Sequence, residues 1–110
     1  MTGYQQYQMC IESCLKCAAI CRYCASACTK EDDVSMKRDC IQLNLECAAM
    51  CNAVAQLMSL GSEHIKELAK ICAVMCDACA EECNRHMSDH CRETAEICIK
   101  CADECELVAR

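Results

Sequence analysis

Six cysteines stand at positions 10, 14, 17, 21, 24 and 28, an unbroken 4-3-4-3-4 series. An α-helix returns to the same face every three or four residues, so the series draws a stripe of thiols along one side of a helix. A strand would scatter the same residues over both of its faces. In a helical bundle this stripe is the seam that faces partner helices, where apolar residues ordinarily stand. The spacing recurs at Cys72, Cys76, Cys79 and Cys83, and His86 and His90 continue its count. A third stripe holds Cys40, Cys47 and Cys51, with Asn44, Val54 and Met58 in the other seam positions. The fourth holds Cys91, Cys98, Cys101 and Cys105, with Thr94 or Ala95 at the gap.

Four stripes predict four helices. The chain has 110 residues, no proline and two glycines, Gly3 and Gly61, which favours helix throughout and leaves few places for elaborate loops. Its length is that of one domain, so residues 1–110 are expected to form a single unit. The first helix is predicted from Tyr4 to Thr29, where the run Lys30-Glu31-Asp32-Asp33 interrupts it. Asp32 or Asp33 can cap a second helix that continues to Leu60. Gly61 then supplies the terminating glycine, and Ser62 starts a third helix running to His86. Ser88 can cap a fourth that ends near Ala109, although no glycine or proline enforces a break at 86–88. A bent continuous helix is the alternative there. Short connections make neighbouring helices antiparallel, so the expected architecture is an all-α, up-down-up-down four-helix bundle.

Threading the stripes antiparallel stacks the thiols in layers. Cys21, Cys47, Cys76 and Cys98 share one level, and Cys17, Cys51, Cys72 and Cys101 the next. Cys28, Cys40, Cys83 and Cys91 form an end layer, Cys24 and Cys79 share a level with Asn44, and Cys14 and Cys105 share one with Val54.

Seventeen cysteines in a short chain usually mean a secreted disulfide scaffold. Here the count is odd. The opening Met1-Thr-Gly-Tyr-Gln-Gln-Tyr-Gln has neither the basic nor the apolar region of a secretory signal, which gives the expectation of a reducing cytoplasm. Spacing argues the same way. Residues three or four apart on a helix have Cβ atoms roughly 5–6 Å apart, whereas a disulfide wants about 3.5–4.5 Å. Two thiolates on one metal, with bonds like the roughly 2.3 Å of zinc–thiolate, hold their sulfurs about 4.5 Å apart, which suits the helical spacing better.

Soft thiolates select Cu(I), zinc or iron–sulfur clusters. Zinc takes closed tetrahedral sites, and one or two would meet a structural need; seventeen thiols facing one core exceed it. Cu(I) accepts two or three sulfurs and shares them. One Cu(I) in place of one thiol proton also leaves the buried core neutral. The residues therefore favour a store of many Cu(I) ions over an enzyme, with a zinc buffer as an alternative. A thiol–disulfide redox protein is the other, through the Cys-x-x-Cys pairs 14/17, 21/24, 76/79 and 98/101, although no βαβ pattern surrounds them. A net charge of −6 without a basic stripe argues against a nucleic-acid binder, and no apolar run is long enough to span a bilayer.

The ends of the bundle differ. One gathers Met36, His86, Met87 and His90 beside the last thiol layer, where thioether and imidazole suit the first contacts of incoming copper. The histidines can equally be ordinary groups at a helix junction. The other end gathers Tyr4, Tyr7, Met58, Ile65, Leu68 and Leu107, and reads as an apolar plug.

With its Cys-x-x-x-Cys pairs at 10/14, 17/21, 24/28, 47/51, 72/76, 79/83 and 101/105 in four helices, the chain resembles the bacterial copper storage proteins, in particular their cytosolic branch. The resemblance covers nearly the whole chain. It implies a cytosolic homotetramer that sequesters Cu(I) through its cysteines, with the histidine and methionine end as the entrance.

Overall fold

The structure is a computed structural model that describes residues 2–110. A single helical turn, α1 (Gly3–Gln6), precedes four long helices: α2 (Gln8–Thr29), α3 (Arg38–Leu60), α4 (Ile65–Cys83) and α5 (Asp89–Ala109). Among the described residues there is no strand, and no helix is long and apolar enough to cross a membrane. Each long helix packs on two others, in the ring α2–α3–α4–α5. Facing thiols pair in descending order across α2 and α5, with Cys10 on Cys105, Cys14 on Cys101 and Cys17 on Cys98. The same holds across α3 and α4, with Cys47 on Cys76 and Cys51 on Cys72. Both pairs of helices are therefore antiparallel.

The rod is narrow, 49 × 20 × 18 Å, because the residues beside the seam are small. Ala18, Ala25, Ala48, Ala73, Ala80 and Ala102 each follow a seam cysteine directly and are at most 4% exposed. A side chain of one carbon lets the helix backbones approach, and the thiols of all four helices then fill a single axis.

The helix ends depart from the spacing-based bounds in ways that have local causes. The first helix does not begin at Tyr4. Thr2 caps α1 through a reciprocal capping box with Gln5, and Tyr7 breaks the helix before α2 starts. Gly3 seats this turn against the end of α3, where a Cβ would stand 2.4 Å from the Met58 carbonyl oxygen. Asp33 caps a 3-10 turn, Val34–Lys37, with no side-chain bond, and α3 proper starts at Arg38. At Gly61 (φ 70°) the chain closes α3 as expected, with Ser62 N–H donating to Leu57 O and Gly61 N–H to Met58 O. The third long helix starts at Ile65, not Ser62, and ends at Cys83, not His86. The break near 86–88 is real, so the bent continuous helix is excluded. Ser88 occupies the N-cap of α5 but makes no capping bond, because its hydroxyl is used elsewhere.

Candidate metal centre

All seventeen cysteines are free thiols, and each is at most 2% exposed. The closest sulfur contacts run from 3.6 Å, at Cys21–Cys98, to 4.0 Å, at Cys47–Cys51 and Cys51–Cys101, and the sulfurs of each group lie within 4.8 Å of one another. A disulfide needs about 2.05 Å, so no pair is bonded or strained toward bonding. Three thiolates around one metal at roughly 2.3 Å would stand about 4.0 Å apart. The closest contacts of the core already have that spacing.

The sulfurs form groups that share corners. Cys17, Cys51, Cys76 and Cys101 make one set, and Cys17, Cys21, Cys47 and Cys98 another, with Cys17 common to both. Cys14, Cys51 and Cys72 join that first set through Cys51, and Cys10, Cys14 and Cys105 extend it through Cys14. These sets straddle two of the levels expected from threading, because each helix offers a thiol slightly above or below its neighbour's. A shared sulfur bridges two ions, so the row can hold a continuous metal–thiolate array.

Proton chemistry favours exchange for a monovalent ion. At the far end Cys10 is lowered to about 5 by hydrogen bonds from the Cys105 and Cys14 thiols, while both of those are raised, each chiefly by its contact with Cys10. One thiolate is held by two S–H donors, and a second proton is harder to remove. At the other end Cys28 is pushed up to about 12, first by burial and then by Cys24 and Cys91. Cations that each displace one proton spare the core these charges.

Cys24, Cys28, Cys40 and Cys91 form the group nearest the α2–α3 and α4–α5 connections. His90 caps it. Its Nδ1 stands 3.3 Å from the Cys24 sulfur and 3.6 Å from that of Cys91, while its Nε2 bonds the Glu31 carboxylate. Tyr23 packs edge-on against the ring. Glu31 also accepts from the Ser88 hydroxyl at 3.0 Å and pairs with the Lys37 ammonium at 3.5 Å. Lys37 is 2% exposed and donates to Ser88 at 2.9 Å, with the Cys91 sulfur 3.8 Å away. Three chain segments are thus tied across the mouth by one carboxylate and one ammonium.

Of the other residues singled out at this end, His86 bonds Glu82 at 2.9 Å. Met36 and Met87 stand largely in solvent, 74% and 84% exposed. Asn44 fills its gap as a polar plug. Its amide donates to the Cys40 carbonyl, and its side-chain oxygen accepts from Cys79 at 3.4 Å. Lys37 and Glu31 escaped the sequence reading, since both lie in a polar run that looks solvated.

The mouth network has a pH signature. Burial works against ionisation of Glu31, but His90, Ser88 and Lys37 together hold its carboxyl below the usual range. A carboxylate lowered on folding adds stability above its unfolded value and loses it as pH falls through its folded value. The apo protein should therefore lose its stability advantage over a Glu31→Gln variant on the acid side of the carboxylate range. Thermal melts of the two from neutral to acid pH test this; a gap that persists in acid overturns it.

The sequence model of one family, the copper storage proteins, matches residues 3–110. The chain belongs to that family. The curated cysteine-rich protein YhjQ of Bacillus subtilis (strain 168) is 37% identical over 106 residues, covering 96% of this chain and 98% of its own. The Cu(I)-bound copper storage protein BsCsp3 superposes with a TM-score of 0.90 at 36% identity, covering 94% of this chain and 97% of its own. The apo copper storage protein 3 of Bacillus subtilis gives 0.89 at 36% identity, with 94% and 98% coverage. A cytosolic copper storage protein from Streptomyces lividans, with five coppers, gives 0.92 at 35% identity, with 97% and 94% coverage. The family is one of storage rather than catalysis.

Proposed function

We propose that this copper storage protein holds many Cu(I) ions through cysteine thiolates along the axis of its bundle. The observation that carries the reading is a row of buried free thiols in corner-sharing groups, spaced as Cu(I) would need them. Cys10, Cys14, Cys17, Cys21, Cys24, Cys28, Cys40, Cys47, Cys51, Cys72, Cys76, Cys79, Cys83, Cys91, Cys98, Cys101 and Cys105 are the ligands over residues 1–110. Copper enters at the His90 end, where an imidazole nitrogen already faces two thiols. His86, Met36 and Met87 are the outer contacts there.

The protein works in the cytoplasm as a homotetramer, and it is not an enzyme. Similarity to a relative described as cytosolic supports the first part. Full burial of the Cys-x-x-Cys pairs 14/17, 21/24, 76/79 and 98/101 supports the last, since a redox pair must meet its substrate.

An anaerobic Cu(I) titration of the reduced protein against a competing chelator tests the reading. Saturation is expected only after on the order of ten equivalents, because soft thiolates at this spacing take many small ions. Saturation at one or two, or preference for a few zinc ions, would sink it.

A further inference from the structure

The apolar plug expected at the end of the bundle opposite His90 is partial, with Tyr7 and Leu68 packed against the core. Met58 and Ile65 are buried, but Tyr4 and Leu107 are 49% and 58% exposed. Beside them opens a cavity of about 610 Å³, lined among others by Gln5, Gln8, Cys10, Glu12, Lys66 and Glu104. Cys10 is the last thiol of the axis. Its sulfur is 3.7 Å from Cys105, which is 3.9 Å from Cys14, which is 3.8 Å from Cys101. The cavity therefore touches a three-thiol group continuous with the whole row.

We propose that this cavity is a second port, where a zwitterionic low-molecular-weight thiol docks and withdraws copper from the Cys10, Cys14 and Cys105 group. The inference rests on the storage reading above. Cu(I) held by thiolates yields only to another soft donor, so the ligand must carry a thiol. The lining supplies one ammonium, Lys66, for a carboxylate, and two carboxylates, Glu12 and Glu104, for an ammonium. Gln5 and Gln8 offer amide donors and acceptors between them, which suits an amino acid or a short peptide. The volume fits a small molecule and the concave shape disfavours the flat face of a protein.

The exchange balances without an oxidant. The incoming sulfur bonds Cu(I) as the Cu–S bond to Cys10 breaks, and the proton of the incoming thiol passes to the Cys10 sulfur. Copper stays Cu(I) throughout. Cys14 and Cys105 release the ion in the same way, and the neighbouring group refills the site.

The test uses copper-loaded full-length protein under anaerobic conditions, with L-cysteine or glutathione as the acceptor. Protein-bound copper is counted after rapid gel filtration. The rate of loss should saturate with thiol concentration. Lys66→Glu should raise the half-saturating concentration about fivefold, as expected for one exposed charge contact, with the limiting rate unchanged. Cysteamine, which lacks the carboxylate, should show no such rise in the Lys66→Glu protein. Gln8→Trp, which fills the cavity, should lower the rate with every thiol. Linear dependence with equal slopes in all three proteins overturns the port and leaves storage intact. A starting load of only one or two coppers overturns the storage reading and the port with it.

Discussion

Filling the core with Cu(I) should raise the temperature at which this bundle unfolds by tens of degrees while leaving its helix content unchanged. The apo core is poor in packing. Beyond cysteine and alanine, the fully buried apolar side chains are Ile11, Val54, Met58 and Ile65. A domain of ordinary composition is stable by only about 5–15 kcal/mol, and this one has less apolar surface than most from which to draw it. A ligand that binds only the folded state, held at about a thousand times its Kd, adds about 4.1 kcal/mol for each independent site. A few Cu(I) ions thus exceed the whole stability of the apo bundle, and each also cross-links helices that are otherwise held by thiols and alanines. Helix content should not change, because the spacing of the sulfurs is set before metal arrives. The chain superposes as well on an apo relative as on a Cu(I)-bound one, with TM-scores of 0.89 and 0.90. Anaerobic circular dichroism melts of apo and loaded protein measure both quantities. A loaded form that melts with the apo form, or a large gain of helix on loading, would sink the picture of a preformed store.

How much of this was legible in the sequence depended on whether a feature is periodic. The stripes were, because a helix converts a 4-3 spacing into a line whatever its surroundings, and four such lines can only close on one another. The pairing of Cys47 with Cys76 and of Cys21 with Cys98 followed from chain order alone. Helix ends were less legible. The start of α2 depends on Gly3 lying against Met58 and Gly61, a long-range contact that no local signal at Tyr7 announces. Nor did spacing reveal the open far end, which arises because Tyr4 and Leu107 turn partly to solvent. Lys37 was hidden for a related reason. A lysine among acidic and polar neighbours normally snorkels outward, and only the arrival of Ser88 and Cys91 from α5 gives its ammonium partners inside. The motif signal that could have found it is the company it keeps in space, not in sequence.

That ammonium makes Glu31 a sensitive residue outside the thiols. Glu31→Ala should both destabilise the apo protein and slow its loading, and a second substitution separates the two effects. Removing the carboxylate strands a lysine that is 2% exposed, which for a fully buried pair costs about 3–5 kcal/mol. Glu31 itself is 27% exposed, so the loss should fall at the lower end of that range. The loading defect has a different origin. Glu31 accepts from the Nε2–H of His90, and in the neutral ring this bond places the lone pair on Nδ1, the nitrogen that faces Cys24 and Cys91. Loss of such an outer partner typically costs about 10–100-fold in metal affinity or activity, and the rate of Cu(I) transfer from a chelated donor should fall accordingly. In the double variant Glu31→Ala/Lys37→Met the stranded charge is gone and a flexible apolar chain takes its place, so stability should return. Loading should stay slow, because His90 is still unanchored. Urea denaturation of the apo proteins and stopped-flow loading kinetics give the two readouts. If the double variant loads at the wild-type rate, Glu31 acts through the charge of Lys37 and not by positioning His90. If Glu31→Ala alone loads normally, the imidazole at the mouth needs no anchor, and copper reaches Cys24 and Cys91 by another route.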